Sequence, residues 1–352
     1  MKWNIILSVY IIFLFNISGH SAEKKEVKLV HLIVSPEMIG SNDNILIKPI
    51  PSPDGKKIIF TNNNYDKIWI KKINDDEKPE LIVSEPGCGL NSMWIDNTNI
   101  YYITGVEKEN KRYKFTIYSM DIVSKKIDRL TPLSSDRRIP SVINGQIILP
   151  YVKNDSNSKL MNPAKLNNLA DDFLNSLFFD KFSSVEEVKK NKQYIILNKK
   201  KYANITESDV QTLYYIDGLK LYKADMETGR ISLIDNRVYS YSVSQDKKFL
   251  AYCKNNDVVI YNVSSKSKKI INDASQPSWM NSDALIYIKS EDDGHKITGS
   301  DIYKKNIADN SAEINITRTK TEFEYHPFYE QSNNRIYYSS LSDNSIKYIE
   351  LK

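Results

Sequence analysis

The residues of this sequence that could do chemistry are few and scattered. Beyond the N-terminal segment, the histidines are His31, His295 and His326. None lies at the spacing from cysteines, carboxylates or other histidines that metal sites commonly use. The glycine-flanked serine of the hydrolase nucleophile elbow and glycine-rich phosphate loops are also absent. The sequence therefore predicts no catalytic constellation, cofactor or metal, and we expect a protein that is not an enzyme.

Two short polar stretches could nevertheless bind ions. Residues 291–295 read Glu-Asp-Asp-Gly-His but lack the alternating carboxylates and distal glutamate of an EF-hand loop, which favours a solvated hairpin loop. Arg137 and Arg138 form an adjacent pair that could hold a carboxylate or phosphate through paired hydrogen bonds. A solvated pair is the alternative.

The most regular feature of the chain is a repeated turn followed by a strand. Pro51–Phe60 reads Pro-Ser-Pro-Asp-Gly-Lys-Lys-Ile-Ile-Phe, in which Pro-Asp-Gly favours a tight turn and an apolar strand follows. Weaker copies occupy residues 94–102, 244–252, 279–287 and 331–338. Each copy continues into a strand with an aromatic residue and then into a last short strand. Four short antiparallel strands per unit of about 35 to 50 residues predict the blade of a β-propeller.

The run Pro51–Phe60 and its copies resemble the repeats of the TolB-like (WD40-like, or PD40) β-propeller superfamily. The resemblance covers most of the chain and implies an all-β propeller. One function found in this superfamily is partner binding in the periplasm. Other members resemble metal-dependent lyases of acidic sugars, which gather several histidines on the propeller axis. Here His326 is the one axial candidate, so the resemblance does not extend to that chemistry.

The repeat predicts a single propeller of six or seven four-stranded blades over residues 23–352. We favour seven, because the stretch from Ile139 to Tyr239 fits two degenerate blades plus an insertion; one blade with a large insertion would give six. Residues 160–192 show apolar spacing typical of helices, and we expect a helical insertion that either covers the channel, docks a partner or packs on the ring. Residues 27–34 are predicted to close the ring by completing the last blade, with a free N-terminal arm as the alternative.

The N-terminus and the composition limit the compartment and the partners. Residues 1–22 combine a basic start, an apolar core and small residues, which predicts a secretory signal peptide and an exported protein, periplasmic or extracellular, with no stable membrane span after cleavage. A net charge of +5 without a clustered basic face argues against nucleic acid. Cys88 and Cys253 lie in distant units, and we expect two unpaired thiols. We also expect a monomer.

Aromatic residues begin several predicted inner strands and are candidate contacts at the channel mouth. They either act as recognition anchors or pack between adjacent blades. The candidate binding residues are Arg137, Arg138, Tyr241, Trp279, Tyr325 and His326. We expect a non-catalytic scaffold that binds a protein or peptide through its loop-rich face. The alternatives are glycan or small-ligand binding in the channel, or an enzyme that processes envelope polysaccharide or peptide.

Overall fold

The chain forms antiparallel β-sheets throughout the part that the structure describes. The computed structural model describes residues 30–40, 45–109, 112–131, 139–143, 146–150, 194–196, 212–217, 219–225, 230–293, 295–307, 312–319 and 322–351. Within these ranges the only helical element is a short 3-10 helix, Pro36–Ile39. The described strands form seven sheets, five of four strands and two of three. We number the sheets in chain order.

Sheets 1 and 2 follow the predicted unit of four consecutive strands. Sheet 1 contains β2 (Leu46–Pro51), β3 (Lys57–Asn62), β4 (Lys67–Lys72) and β5 (Glu80–Ser84). Sheet 2 contains β6 (Met93–Trp94), β7 (Asn99–Glu109), β8 (Arg112–Asp121) and β9 (Ile127–Arg129). In both sheets each strand pairs with the next strand in the chain, so the fold follows the local hairpins of the repeat.

Sheets 5 and 6 repeat the same four-strand order. Sheet 5 contains β16 (Val238–Val243), β17 (Phe249–Lys254), β18 (Asp257–Asn262) and β19 (Lys268–Ile271). Sheet 6 contains β20 (Ala274–Trp279), β21 (Ala284–Asp292), β22 (Ile297–Asn306) and β23 (Ile314–Asn315). Residues 291–293 and 295–297 lie at the hairpin between β21 and β22, and Glu291 and Asp292 there are exposed.

Sheet 7 contains strands from both ends of the described chain. It contains β24 (Glu324–Glu330), β25 (Arg335–Ser340), β26 (Ser345–Glu350) and β1 (Val30–Val34). β1 pairs with β26 in antiparallel register, and the rings of His31 and Tyr348 stack with centroids 4.6 Å apart. This pairing covers the edge of β26 that would otherwise lack a partner strand.

Sheets 3 and 4 are smaller than the other five. Sheet 3 contains β10 (Ser141–Ile143), β11 (Gln146–Pro150) and β12 (Tyr194–Ile196), and sheet 4 contains β13 (Thr212–Asp217), β14 (Lys220–Asp225) and β15 (Ile231–Asn236). The structure therefore does not support the prediction of seven four-stranded blades. The reason is visible in the sequence, because residues 141–236 lack the turn motif and its four-strand spacing. The predicted helical insertion at 160–192 lies outside the described residues, and the structure gives it no support.

Apolar side chains join consecutive sheets into a ring. Ile59 and Ile100 belong to one buried cluster between sheets 1 and 2, and similar clusters lie between sheets 2 and 3, 4 and 5, 5 and 6, 6 and 7, and 7 and 1. Contacts between β11 and β13 join sheets 3 and 4. The first strands of neighbouring sheets also contact one another, which places β2, β20 and β24 around the axis. Stacked sheets around a central axis are the architecture of a β-propeller.

The repeated turn is held by the same hydrogen bonds in different sheets. In sheet 1 the Ser52 hydroxyl donates to Asp54 at 2.6 Å, and the backbone amide of Lys57 donates to the Ser52 Oγ at 3.0 Å. Ser244, Asp246 and Phe249 form the same arrangement in sheet 5. These side chains bind the backbone amides of the turn, which explains why serine and aspartate recur at the same two positions in sheets 1 and 5.

The connections divide between two faces of the ring. The loops between the second and third strands of a sheet lie beside the loops that join consecutive sheets. The hydrogen bond from the Gly89 amide to the Tyr65 carbonyl, at 3.0 Å, illustrates this contact. We call this side the loop-rich face. On the opposite face the turns between first and second strands contact one another, and the amide of Asp54 donates to Asn97 Oδ1 at 3.0 Å.

Substitution of Gly55 by alanine should lower the free energy of unfolding by about 2 kcal/mol. Gly55 has φ +64°, and an added Cβ would overlap the Asn333 and Ser332 side chains of the neighbouring turn. Gly40→Ala is the matched control, because Gly40 has φ +71° but no atom within 4 Å of an added Cβ. Urea denaturation should therefore show a larger loss for Gly55→Ala. Equal losses would mean that the contact between turns contributes nothing.

The two cysteines are both buried and unpaired, as predicted. Cys88 packs in the cluster between sheets 1 and 2, and Cys253 packs in the cluster between sheets 5 and 6. Burial raises the pKa of the Cys88 thiol to about 11, so this thiol is protonated at neutral pH. Within the described residues no helix has the length and apolar character needed to cross a membrane.

Candidate functional site

An identical irregularity occurs in the first strands of sheets 1, 6 and 7, which are consecutive around the ring. In sheet 1 the ladder skips from Ile47 to Ile50, so that Lys48 and the following residue face one residue of β3. The same shift leaves Gln276 out of the ladder in sheet 6 and His326 out of it in sheet 7. Each is a β-bulge, a feature that redirects a side chain out of the regular pleat. Three bulges at matching positions therefore place three polar side chains near the start of the inner strands.

The backbone of these three residues is strained. Lys48, Gln276 and His326 have φ values of 54°, 52° and 53°, a left-handed conformation that costs about 1 to 3 kcal/mol in a residue other than glycine. A proline follows each of them, and proline supplies no amide hydrogen for the ladder at the bulge. Strain repeated at matching positions marks this region as a candidate functional site.

Hydrogen bonds connect the three residues across the sheet boundaries. The backbone amide of His326 donates to the Oε1 atom of Gln276 in the preceding sheet. The backbone amide of Lys48 donates to the Ser339 hydroxyl at 3.1 Å, and that hydroxyl lies 3.3 Å from the Nδ1 atom of His326. We call Lys48, Gln276, His326 and Ser339 the mouth cluster, because they lie where the inner strands start beside the loop-rich face.

The Lys48 ammonium is the main charge of the mouth cluster. The side chain is half-buried, and its Nζ donates to the backbone carbonyl of Leu90 in the loop between sheets 1 and 2. In the part of the chain that the structure describes, no carboxylate forms an ion pair with Lys48. By contrast, Lys254 and Lys268 both pair with Asp235 within 2.7 Å. A partly desolvated ammonium without a counter-ion is costly, and an anionic ligand would offset that cost.

Burial shifts both titratable groups of the mouth cluster toward their neutral forms. Desolvation lowers the pKa of the Lys48 ammonium from 10.5 to about 8. Desolvation, together with repulsion from Lys48, lowers the pKa of the His326 imidazole from 6.5 to about 4. His326 is therefore neutral at pH 7, whereas Lys48 still carries most of its charge.

The structure places the sequence-predicted residues at several different locations. Tyr325 and His326 are adjacent on β24, with ring centroids 6.3 Å apart, so Tyr325 lies beside the mouth cluster. Tyr241 donates its hydroxyl proton to the Tyr214 carbonyl at 2.5 Å, and the indole of Trp279 donates to the Ser242 carbonyl at 3.1 Å. Both of these side chains therefore join neighbouring sheets.

Other residues were missed or cannot be placed. Arg137 and Arg138 lie outside the described residues, so their role as an anion-binding pair stays a prediction. Sequence reasoning missed Lys48, Gln276 and Ser339. A signal was present for the first two, because each precedes a proline near the start of an inner strand, as His326 does. Ser339 had no such signal, since it joins the cluster from the second strand of sheet 7.

The mouth cluster is not suited to a metal ion. No group of three or more histidine, cysteine, aspartate or glutamate side chains in the described ranges could hold one. The mouth cluster contains the Lys48 ammonium and the Gln276 side-chain amide, whose oxygen already accepts a hydrogen bond from the His326 amide. Both groups therefore favour a negatively charged or oxygen-rich ligand.

Comparisons with known proteins show a β-propeller that is distantly similar to TolB-like propellers. No family model matches the chain, and no curated protein matches its sequence. Among solved structures, a TolB candidate from Agrobacterium tumefaciens has a TM-score of 0.44 at 12% identity, with 81% of this chain and 86% of that chain covered. The oligogalacturonate lyase of Vibrio parahaemolyticus has a TM-score of 0.45 at 10% identity, with 93% and 98% covered. The β-propeller domain of the Trilobed protease of Pyrococcus furiosus has a TM-score of 0.40 at 11% identity, with 87% and 81% covered.

These similarities concern the fold alone. The identities are too low to carry a residue of any of the three proteins over to this chain. A function for this propeller must therefore be argued from its own mouth cluster.

Proposed function

We propose that this chain is an exported, non-catalytic β-propeller that binds a protein or peptide partner through its loop-rich face. The contact that selects the partner is the mouth cluster, and Tyr325 lies beside it. Export follows from the signal-peptide pattern of residues 1–22, so the partner is expected in the periplasm or outside the cell.

One observation carries this proposal, namely the repeated strained bulge that presents Lys48, Gln276 and His326. The same bulge, with a non-glycine residue at φ near 53°, recurs in three consecutive sheets, and bulges are over-represented next to functional sites. The loops around the cluster supply additional contact surface. Leu90, whose carbonyl accepts from Lys48, has 47% of its surface exposed. A partner that reaches Lys48 would also contact this loop, which makes the site larger than a single pocket.

A second candidate is the binding of a glycan or another small ligand in the channel. The polar groups of the mouth cluster are few and close together, as in many small-ligand sites. The two functions differ in whether a macromolecule contacts the loops as well as the cluster.

Photo-crosslinking from the loop-rich face tests the proposal. A benzophenone amino acid is introduced at Leu90, or at Val123 as the control, in the full-length chain expressed in its native host. Val123 is 71% exposed and lies in the turn between β8 and β9 on the opposite face. We expect a defined protein adduct from position 90 and none from position 123, on a chain whose mass shows that residues 1–22 have been removed.

Other outcomes would count against the proposal. The same adducts from both positions would indicate non-specific contact and overturn it. No protein adduct from position 90 would also overturn it and would favour the small-ligand alternative. An intact N-terminus on the recovered chain would overturn the export part alone.

A further inference from the structure

The hydrogen-bonding capacity of the mouth cluster identifies the kind of group it can accept. The Ser339 hydroxyl accepts a hydrogen bond from the Lys48 amide, and its single O–H can donate a hydrogen bond to Nδ1 of His326, 3.3 Å away. In this arrangement Nδ1 is the acceptor of the neutral imidazole, so the ring proton lies on Nε2. His326 therefore offers a donor to a ligand.

Gln276 and Lys48 also have donors left over. The Oε1 atom of Gln276 accepts from the His326 amide, which leaves the side-chain NH₂ group to donate. The Lys48 ammonium has three N–H donors, and one of them points at the Leu90 carbonyl. The oxygen acceptors of the cluster are used within it, whereas donors from three different sheets remain.

The charges around Lys48 also favour an anionic ligand. Lys48 lacks a carboxylate partner in the described part of the chain, although the strands packed against β2 do carry acidic groups. Glu324 on β24 is directed away, because its carboxyl oxygens lie 3.0 Å from the Ile302 amide and 3.2 Å from the Thr319 hydroxyl. The other carboxylates on those strands are Glu330 and Glu350, and both are engaged elsewhere. Glu330 accepts from the Asn333 amide at 3.1 Å, and Glu350 pairs with Arg335 at 2.6 Å.

We infer that the mouth cluster binds a carboxylate of an acidic peptide segment, with Lys48 as the ion-pair partner and Gln276 and His326 as hydrogen-bond donors. This inference rests on the proposed function and specifies the chemistry of the partner. A carboxylate fits because it is anionic and accepts several hydrogen bonds at once. A peptide source fits better than a free ion because the surrounding loops can contact the chain on either side of the acidic residue.

Isothermal titration with defined probes tests the inference. The probes are a short acidic peptide, the same peptide with its aspartates and C-terminus amidated, and inorganic phosphate. We expect the acidic peptide to bind wild type and to lose about tenfold or more of its affinity when amidated. Phosphate should bind more weakly than the acidic peptide. Equal affinity for the acidic and amidated peptides, or tighter binding of phosphate, would overturn the carboxylate inference.

Two lysine variants locate the contact. Lys48→Met removes the charge but keeps an apolar chain of similar length, whereas Lys56→Met removes an exposed lysine from a turn on the opposite face. We expect about a tenfold loss of affinity for Lys48→Met and no change for Lys56→Met. Circular dichroism should show both variants folded, and Lys48→Gln serves as a second variant if Met does not fold.

The outcomes separate this inference from the proposed function. A protein adduct at position 90 together with unchanged acidic-peptide affinity in Lys48→Met would overturn the carboxylate inference and leave partner binding standing. Absence of both the adduct and peptide binding would overturn both proposals.

Discussion

Replacing Glu324 with glutamine should stabilise the protein at pH 8 and leave its stability near pH 4 almost unchanged. Glu324 has 0% of its surface exposed, and burial raises the pKa of its carboxyl from 4.5 to about 8. A folded-state pKa above the unfolded value means that stability is complete below about pH 4.5 and declines as the pH rises toward 8. The shift corresponds to a loss of up to about 5 kcal/mol.

Burial favours a protonated Glu324 carboxyl over the effect of the bonds from the Thr317 hydroxyl and the Ile302 amide, which favour the ionised form, and the contact with Thr319 accommodates the proton. The Thr319 hydroxyl lies 2.9 Å from Asp301 Oδ1 and 3.2 Å from Glu324 Oε1, yet it has one proton to donate. If the Thr319 hydroxyl donates its hydrogen bond to Asp301, the Glu324 carboxyl must be the donor in the second contact. The amide of glutamine can donate in the same place, so the variant reproduces the protonated state at every pH.

Denaturant unfolding of wild type and Glu324→Gln at several pH values measures this effect. Glu291→Gln, at an exposed position, is the control for the change of charge. His326 also contributes a pH dependence, because its lowered pKa makes stability rise between about pH 4 and 6.5. Both proteins contain His326, so the difference between their free energies of unfolding reports the effect of Glu324. A constant difference from pH 4 to pH 8 would show that the Glu324 carboxyl is not protonated in the folded protein.

Replacing Asp235 with alanine should destabilise the protein by about 3 to 5 kcal/mol. Asp235, on β15 of sheet 4, accepts hydrogen bonds from three side chains of sheet 5: the Tyr252 hydroxyl at 2.7 Å, the Lys254 ammonium at 2.5 Å and the Lys268 ammonium at 2.7 Å. Tyr252 is fully buried, so the variant leaves its hydroxyl without a partner. The loss should be large because this carboxylate joins a three-stranded sheet to the rest of the ring.

Thermal and urea unfolding test this prediction, with Asp76→Ala at an exposed position as the control. In a double-mutant cycle, Tyr252→Phe should cost less in the Asp235→Ala background than in wild type. The bonds to Lys254, Lys268 and Tyr252 lower the pKa of Asp235 despite its burial, so its contribution is present above about pH 4 and is lost in acid. Additive effects of Asp235→Ala and Tyr252→Phe on the free energy of unfolding would contradict a direct hydrogen bond between these two side chains.

Local signals in the sequence were sufficient for the strands and turns of the regular sheets. The Pro-Asp-Gly turn at residues 53–55 works through contacts within a few residues, such as the bond between Ser52 and Asp54, so a single sequence reveals it. The same reasoning was insufficient for sheets 3 and 4. There the turn motif is missing and the strands are as short as three residues, Tyr194–Ile196, so neither strand count nor blade count follows from the pattern.

The candidate site depends on contacts between sheets, which a single sequence does not show. The sequence indicates His326 as the one axial candidate among the histidines, but it does not reveal the neighbours Lys48, Gln276 and Ser339. A bulge of one residue decides whether a side chain stays in the ladder or leaves it, and hydrophobic alternation does not report such a shift. The proline after each bulge residue was a visible signal whose meaning depends on knowing which strand lies innermost.

The aromatic residues Tyr241 and Trp279 were found from the sequence, but their role was not. Their residue types suit either recognition or packing, and only the structure shows that their hydrogen bonds join neighbouring sheets.

The central claim is that the mouth cluster is where a partner binds, and crosslinking from the loop beside Lys48 tests it most directly. A protein adduct that forms from position 90, is absent from position 123 on the opposite face and disappears in the Lys48→Met background is the result we predict. An adduct that persists unchanged in Lys48→Met, or that forms equally from both faces, would contradict the assignment of the mouth cluster as the binding site.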